Sequence, residues 1–193
     1  MTITHNHSRV VAHDLERLLQ AAQSQTAVNQ ALITEVDLGP FKHQVDNGIP
    51  LRIAAFNFID NAIEKFPTKT SAPGLVESVI RGLDDPQEEV NVLCMHIIGR
   101  LHHLAQSTVL ANLDPILDAF EKQFTKHLKN VIDKSKTNEK SQNVVRAMMR
   151  VISVLAKNPD IEQNNRFIEM QKTYVLENPI SREIYEKLQK TAV

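Results

Sequence analysis

The chain has 193 residues, one cysteine, no tryptophan and five glycines, and its 22 basic and 23 acidic side chains leave a net charge of -1. That length suffices for one medium domain or a short repeat array with a real core. Glycine lies well below the usual ~7%, which argues against a turn-rich β-sandwich or a phosphate-loop enzyme. Near-neutral charge argues against non-specific nucleic-acid binding and polybasic membrane attachment. One cysteine excludes an internal disulfide framework and a zinc ribbon, and fits a reducing compartment. Residues 1–7 lack the apolar segment of a signal peptide, and no stretch approaches the ~18 apolar residues of a membrane span. The expectation is a soluble, intracellular, helical protein.

The elements follow in chain order. An opening helix over roughly Val10–Ala22 carries Val11, Leu15, Leu18 and Leu19 on one stripe. From Leu32 to Val45 the pattern changes. Val36 and Leu38 alternate with Glu35 and Asp37, and after Gly39-Pro40 the residues Phe41, His43 and Val45 alternate with Lys42 and Gln44. Period 2 on both sides of a Gly-Pro break predicts a β-hairpin over Ile33–Val45. An isolated hairpin is marginally stable in water, so this one requires packing support or a partner.

Leu51–Phe66 is apolar on a broad face (Leu51, Ala55, Phe58, Ile59, Ala62, Ile63, Phe66), as for a helix packed on two neighbours, and Leu75, Val76, Val79, Ile80 and Leu83 follow. Between Gln87 and Ala105 a single stripe of period 3.6 runs through Val90, Leu93, Cys94, Ile97, Ile98, Leu101 and Leu104. Leu113, Ile116, Leu117, Phe120 and Phe124 make another helix, with Pro115 tolerated in its first turn. The polar run Lys129–Lys140 has no apolar period and reads as an exposed loop. Val144, Met148, Val151, Ile152 and Leu155 form a helix closed at Asn158-Pro159, and two last helices are separated at Asn178-Pro179.

The helices also recur. Leu51 to Val90 is 39 positions, close to the ~40–47 of HEAT and armadillo helix pairs. Val90 to Val145 is 55, and the 16 extra positions coincide with the polar run. Stacked helix pairs bury their faces only against the next pair. The fold class expected is therefore all-α: a HEAT-repeat α-solenoid of about three helix pairs plus end helices, one domain over 1–193, with a hairpin inserted at 33–45 and a loop at 129–140.

Reactive constellations are missing. The sequence has no Gly-rich phosphate loop, no His-Glu-x-x-His, no Gly-x-Ser-x-Gly and no paired-cysteine spacing. Cys94 lies on an apolar stripe, which favours a buried, inert thiol over a nucleophile. His96 and His103 lie seven apart, with Asp84 and Asp85 not far off, but two histidines without a third ligand make a weak metal site. The lysines from Lys122 to Lys140 have no aromatic interleaved after Phe124, which favours a solvated surface over nucleic-acid contact. No catalytic residue, cofactor or metal is expected, and no enzyme.

The run Glu35-Val36-x-x-Gly39-Pro40-Phe41-Lys42-His43-x-Val45-Asp46-x-Gly48, followed by Arg52-x-Ala54-Ala55-Phe56, resembles the C-terminal region of the cullin-associated, neddylation-dissociated proteins, also called TATA-binding-protein-interacting proteins. Asp84–Leu104, Leu113-Asp114 and Arg146–Arg150 fall in step with that family, so the likeness covers nearly the whole chain. It departs from the pattern at Asn47 and Pro50, where the family has acidic residues. The resemblance implies a HEAT-repeat protein that clasps cullin–RING scaffolds lacking the ubiquitin-like modifier, in the cytoplasm and nucleus, and that regulates assembly of SCF-type ubiquitin ligases. It further implies that the hairpin occupies the groove at the cullin's N-terminal repeats used by the substrate-receptor adaptor.

On that basis the partner-binding residues are Glu35, Val36, Asp37, Leu38, Gly39, Pro40, Phe41, Lys42 and His43. Leu38 and Phe41 serve as apolar anchors, with Val36 and Val45 packed on the Leu51–Phe66 helix. The alternative for Phe41 is that it folds back onto that helix. The family's N-terminal half, a further expected partner, is absent from this sequence, which reads as a fragment or as a separate C-terminal half. A competing reading is a generic HEAT scaffold for another partner, such as the TATA-binding protein. Neither reading involves nucleic acid or membrane.

Overall fold

The computed structural model describes residues 8–37, 39, 41–68, 70, 72–132 and 139–191. Its elements are α1 (Ser8–Ser24), a 3-10 turn (Gln30–Leu32), β1 (Ile33–Asp37), β2 (Lys42–Asp46), α2 (Ile49–Lys65), α3 (Ala72–Leu83), α4 (Glu88–Leu104), α5 (Gln106–Ala111), α6 (Leu113–Ile132), α7 (Glu139–Leu155), α8 (Pro159–Glu162), α9 (Asn165–Met170), a π-helical turn (Gln171–Leu176) and α10 (Pro179–Thr191). The class is all-α, of the HEAT-repeat kind, with one antiparallel two-stranded hairpin among the described residues. The helices over the Leu51, Val90 and Val144 stripes open at Ile49, Glu88 and Glu139. The chain forms two compact units, Met1–Leu93 and Cys94–Val193, with the division falling within α4.

In the first unit α1 packs on α2. Val11, Leu15 and Leu19 of α1 are buried, as are Ala55, Phe56, Ile59, Ala62 and Ile63 of α2 and Leu75, Val76, Val79 and Leu83 of α3. Burial of each larger side chain contributes about 1.5–3 kcal/mol relative to exposure. The face of α2 is rotated from the expected one: Leu51 is exposed, while Arg52 lies on the buried stripe at 1% exposure. At the other end of the unit, the Asn91 side-chain amide reaches the carbonyls of Gly82, Leu83 and Asp85 at 3.1, 3.0 and 2.9 Å. It thereby joins the start of α4 to the backbone at and just beyond the end of α3.

In the second unit α7 packs on both α6 and α10. Phe120 and Phe124 of α6 and Met148, Met149 and Ile152 of α7 are fully buried, and the Phe124 and Tyr174 rings stack with centroids 5.2 Å apart. Cys94 is buried in α4, together with Met95, Ile97 and Ile98. Leu104, expected on the same stripe, is exposed, and Leu93 is only half-buried. Asparagines start the last three helices: the side-chain oxygens of Asn158, Asn164 and Asn178 accept from backbone N–H groups two or three residues on. This is N-capping, and in two of the three the next residue is a proline preset for the first turn.

Both ends of the run 129–140, expected as a loop, are helical. Residues 129–132 continue α6 and 139–140 open α7, while 133–138 lie outside the described residues. Polar side chains are also buried beside this run. His127, fully buried, has Nδ1 3.0 Å from Ser141 Oγ and Nε2 3.1 Å from Gln123 Oε1. Because Gln123 Oε1 can only accept, Nε2 carries a ring proton.

Candidate functional site

Strands β1 and β2 pair in the register Ile33↔Asp46, Thr34↔Val45, Glu35↔Gln44, Val36↔His43 and Asp37↔Lys42. Glu35, Val36 and Asp37 therefore stand on β1, Lys42 and His43 on β2, and Gly39 and Phe41 in the connection. Leu38 and Pro40 lie outside the described residues. Gly39 has φ +86°, a conformation that disfavours any side chain, and its N–H donates to Asp37 Oδ1 at 2.9 Å. Glu35 and Lys42 form an exposed ion pair at 2.6 Å.

Every described residue from Thr34 to Gln44 is exposed. Phe41 stands at 75% exposure, so it is not folded back onto α2, and Val36 stands at 40%. The expectation that Val36 packs on α2 is therefore corrected: only Val45, one pair from the base, is half-buried. Five-residue strands extend about 17 Å, which carries the tip beyond the packing that buries the base.

The base is built differently. Asp46 Oδ1 accepts the N–H of Gly48 at 2.8 Å, and Asp46 Oδ2 meets Arg52 Nη1 at 2.8 Å. Arg52 turns its other edge to Asp85, with Nε–Oδ2 at 2.7 Å and Nη2–Oδ1 at 3.1 Å. Asp85 Oδ1 also accepts from the Gln87 N–H at 2.8 Å, at the entry to α4. One buried guanidinium thus ties the hairpin base, the start of α2 and the α3–α4 connection together in a two-sided fork. Burial disfavours the charged Arg52, but hydrogen bonds and charge from Asp85 and Asp46 outweigh it and raise its pKa.

Gly48 sits inside this joint. A Cβ there would lie 3.1 Å from Asp46 Oδ1 and 3.3 Å from Leu32 Cδ1. Asn47 closes the ladder, its N–H donating to Leu32 O at 3.0 Å and its amide to Thr34 Oγ1 at 3.0 Å.

The sequence reading missed Arg52 and Asp85 as a pair. A signal was present, since Arg52 precedes Ala55, Phe56 and Ile59 at helical spacing, and a charge on an apolar stripe requires a buried counter-ion. His96 and His103, weighed as metal ligands, serve otherwise: His96 Nε2 accepts from Arg100 Nη2 at 3.2 Å, and His103 is an exposed neighbour of buried His102. Burial, and then the charge of His103, holds the His102 pKa below its ordinary value. Among the described residues no three His, Cys, Asp or Glu side chains converge on a metal position.

A family model described as TATA-binding protein interacting (TIP20) matches residues 10–175. The chain belongs to that family. Among curated proteins the TIP20-family chain is 30% identical over 189 residues to the Cullin-associated NEDD8-dissociated protein 1 of Drosophila melanogaster, a match covering 98% of this chain and 15% of that protein. It is 26% identical to the Dictyostelium discoideum protein of the same name, over 93% of this chain and 14% of that protein. It is 27% identical to Cullin-associated NEDD8-dissociated protein 2 of Rattus norvegicus, over 96% of this chain and 14% of that protein. The chain therefore spans about one seventh of the length of these relatives. The resemblance read from the Gly39–His43 run and its flanks is the family the comparisons return.

Proposed function

We propose that this chain is a non-catalytic, cullin-binding module whose hairpin tip enters the groove that a substrate-receptor adaptor uses on the cullin's N-terminal repeats. The observation that carries the reading is Phe41, 75% exposed at the end of a hairpin whose base is fixed by Arg52. A large aromatic side chain gains little in water and much in an apolar pocket, and a central aromatic ringed by polar groups is the usual anatomy of a binding hot spot. Glu35, Asp37, Lys42 and His43 provide that polar ring. A tip already held by its base loses less conformational entropy on docking than a free loop does. The names of the relatives carry cullin association, and the module works where cullins do, in cytoplasm and nucleus.

The family description supports a second reading, binding of the TATA-binding protein through the helices. One experiment separates the two: capture of an unmodified cullin N-terminal region by this chain, with and without saturating adaptor, beside capture of TATA-binding protein. Cullin retention that adaptor abolishes supports hairpin competition. Retention of the TATA-binding protein alone supports the second reading, and cullin retention indifferent to adaptor sinks the competition mechanism.

A further inference from the structure

The second unit carries a surface that the hairpin does not use. From Lys140 to Pro159 the sequence holds four basic residues, Lys140, Arg146, Arg150 and Lys157, and no aspartate or glutamate. Arg146 and Arg150 stand one turn apart on α7, both exposed. Helix α10, packed on α7, presents Ile184 and Leu188 at the same four-residue interval, each half-buried. With Lys187 these side chains line a groove of about 280 Å³. Two arginines form one wall, and two aliphatic side chains form the floor.

The cations differ in what they already hold. Lys187 meets Glu183 at 2.6 Å. Arg146 reaches the uncharged Gln142 Oε1 at 3.4 Å. The Arg150 guanidinium has no hydrogen-bond or ion-pair partner among the described residues. Neither arginine is neutralised by a carboxylate among the described residues, and guanidinium forks are suited to bidentate carboxylate recognition.

We propose that this groove docks an acidic segment of a partner protein that bears aliphatic side chains at helical spacing. Charge complementarity fixes the acidic part: a wall of uncompensated arginines on a chain of net charge -1 selects negative ligands locally. The volume is slightly below the ~300–1,000 Å³ of small-molecule sites, which suits inserted side chains of a peptide. The aliphatic floor, without an aromatic platform for bases, favours a peptide over a nucleic acid.

The test uses the full 193-residue chain in fluorescence anisotropy at low salt. The probe is a fluorescein-labelled helical peptide with leucines at i and i+4 flanked by glutamates. Companion peptides replace the glutamates by lysine or the leucines by serine, and an oligonucleotide and phosphatidylserine vesicles serve as other anions. The glutamate–leucine peptide should bind, both companions at least about tenfold more weakly, and added salt should weaken it. Arg146→Glu with Arg150→Glu should weaken it at least about tenfold with the melting temperature unchanged, because both side chains are exposed. Phe41→Asp should leave it intact, which separates this surface from the hairpin. No binding, equal binding by the charge-reversed variant or the serine peptide, or tighter binding of the oligonucleotide or vesicles overturns the proposal.

Discussion

The two ends of the hairpin are opposite solutions to the same covalent ribbon. At the base, half-buried Asp46 and buried Arg52 belong to an ion-paired joint that reaches Asp85, and a side chain at Gly48 would press on its neighbours. At the tip, Phe41 and Val36 are exposed, beside a surface ion pair between Glu35 and Lys42 and a turn hydrogen bond from Gly39 to Asp37. Stability resides in the base and binding potential in the tip. Substitutions should therefore separate the two properties cleanly.

The largest expected effect is at the joint. Arg52→Met leaves buried Asp85 and half-buried Asp46 without their shared cation, and removal of one member of a buried ion pair costs about 3–5 kcal/mol. Urea unfolding should show that loss, with Arg52→Lys losing less because it keeps the charge but not the fork. A variant as stable as the parent would mean that the joint is ornamental.

Gly48→Ala should cost less, about 1–2 kcal/mol, since the new Cβ presses on Asp46 Oδ1 and the Leu32 methyl, which must shift. Its melting temperature should fall while helical circular dichroism is retained. The smallest effect belongs to the tip. Lys42→Ala should change stability by less than about 1 kcal/mol, as exposed ion pairs do, and the difference should vanish in high salt. A loss at Lys42 as large as that at Arg52 would erase the distinction between base and tip.

The helices were legible because burial on one side writes a period of 3.6 into the sequence, as along Val90, Cys94, Ile97 and Leu101. The hairpin was legible because Gly39-Pro40 interrupts a run of period 2. Three features were hidden by a common cause. Arg52, His127 and Asn91 are polar side chains doing interior work, and apolar periodicity cannot register them. The place of Arg52 on the stripe of Ala55, Phe56 and Ile59 signals a buried counter-ion, but its partners Asp46 and Asp85 lie 6 and 33 positions away, and sequence separation does not announce which carboxylates it meets. His127 and Ser141, buried on either side of the run Lys129–Lys140, form a polar pair that apolar periodicity does not register. Exposure of Phe41 also lay beyond the sequence, since alternation fits a tip that folds back as well as one that does not.

Displacement of a labelled adaptor from an unmodified cullin N-terminal region, titrated with the parent chain and with Phe41→Asp, tests the central claim most directly. The parent should displace the adaptor. The variant, equally stable because its substituted side chain is already in solvent, should need at least about thirtyfold more protein, the equivalent of a hot-spot loss of ~2 kcal/mol. Superimposable titrations for the two proteins would contradict the account, because the exposed tip would then take no part in the competition.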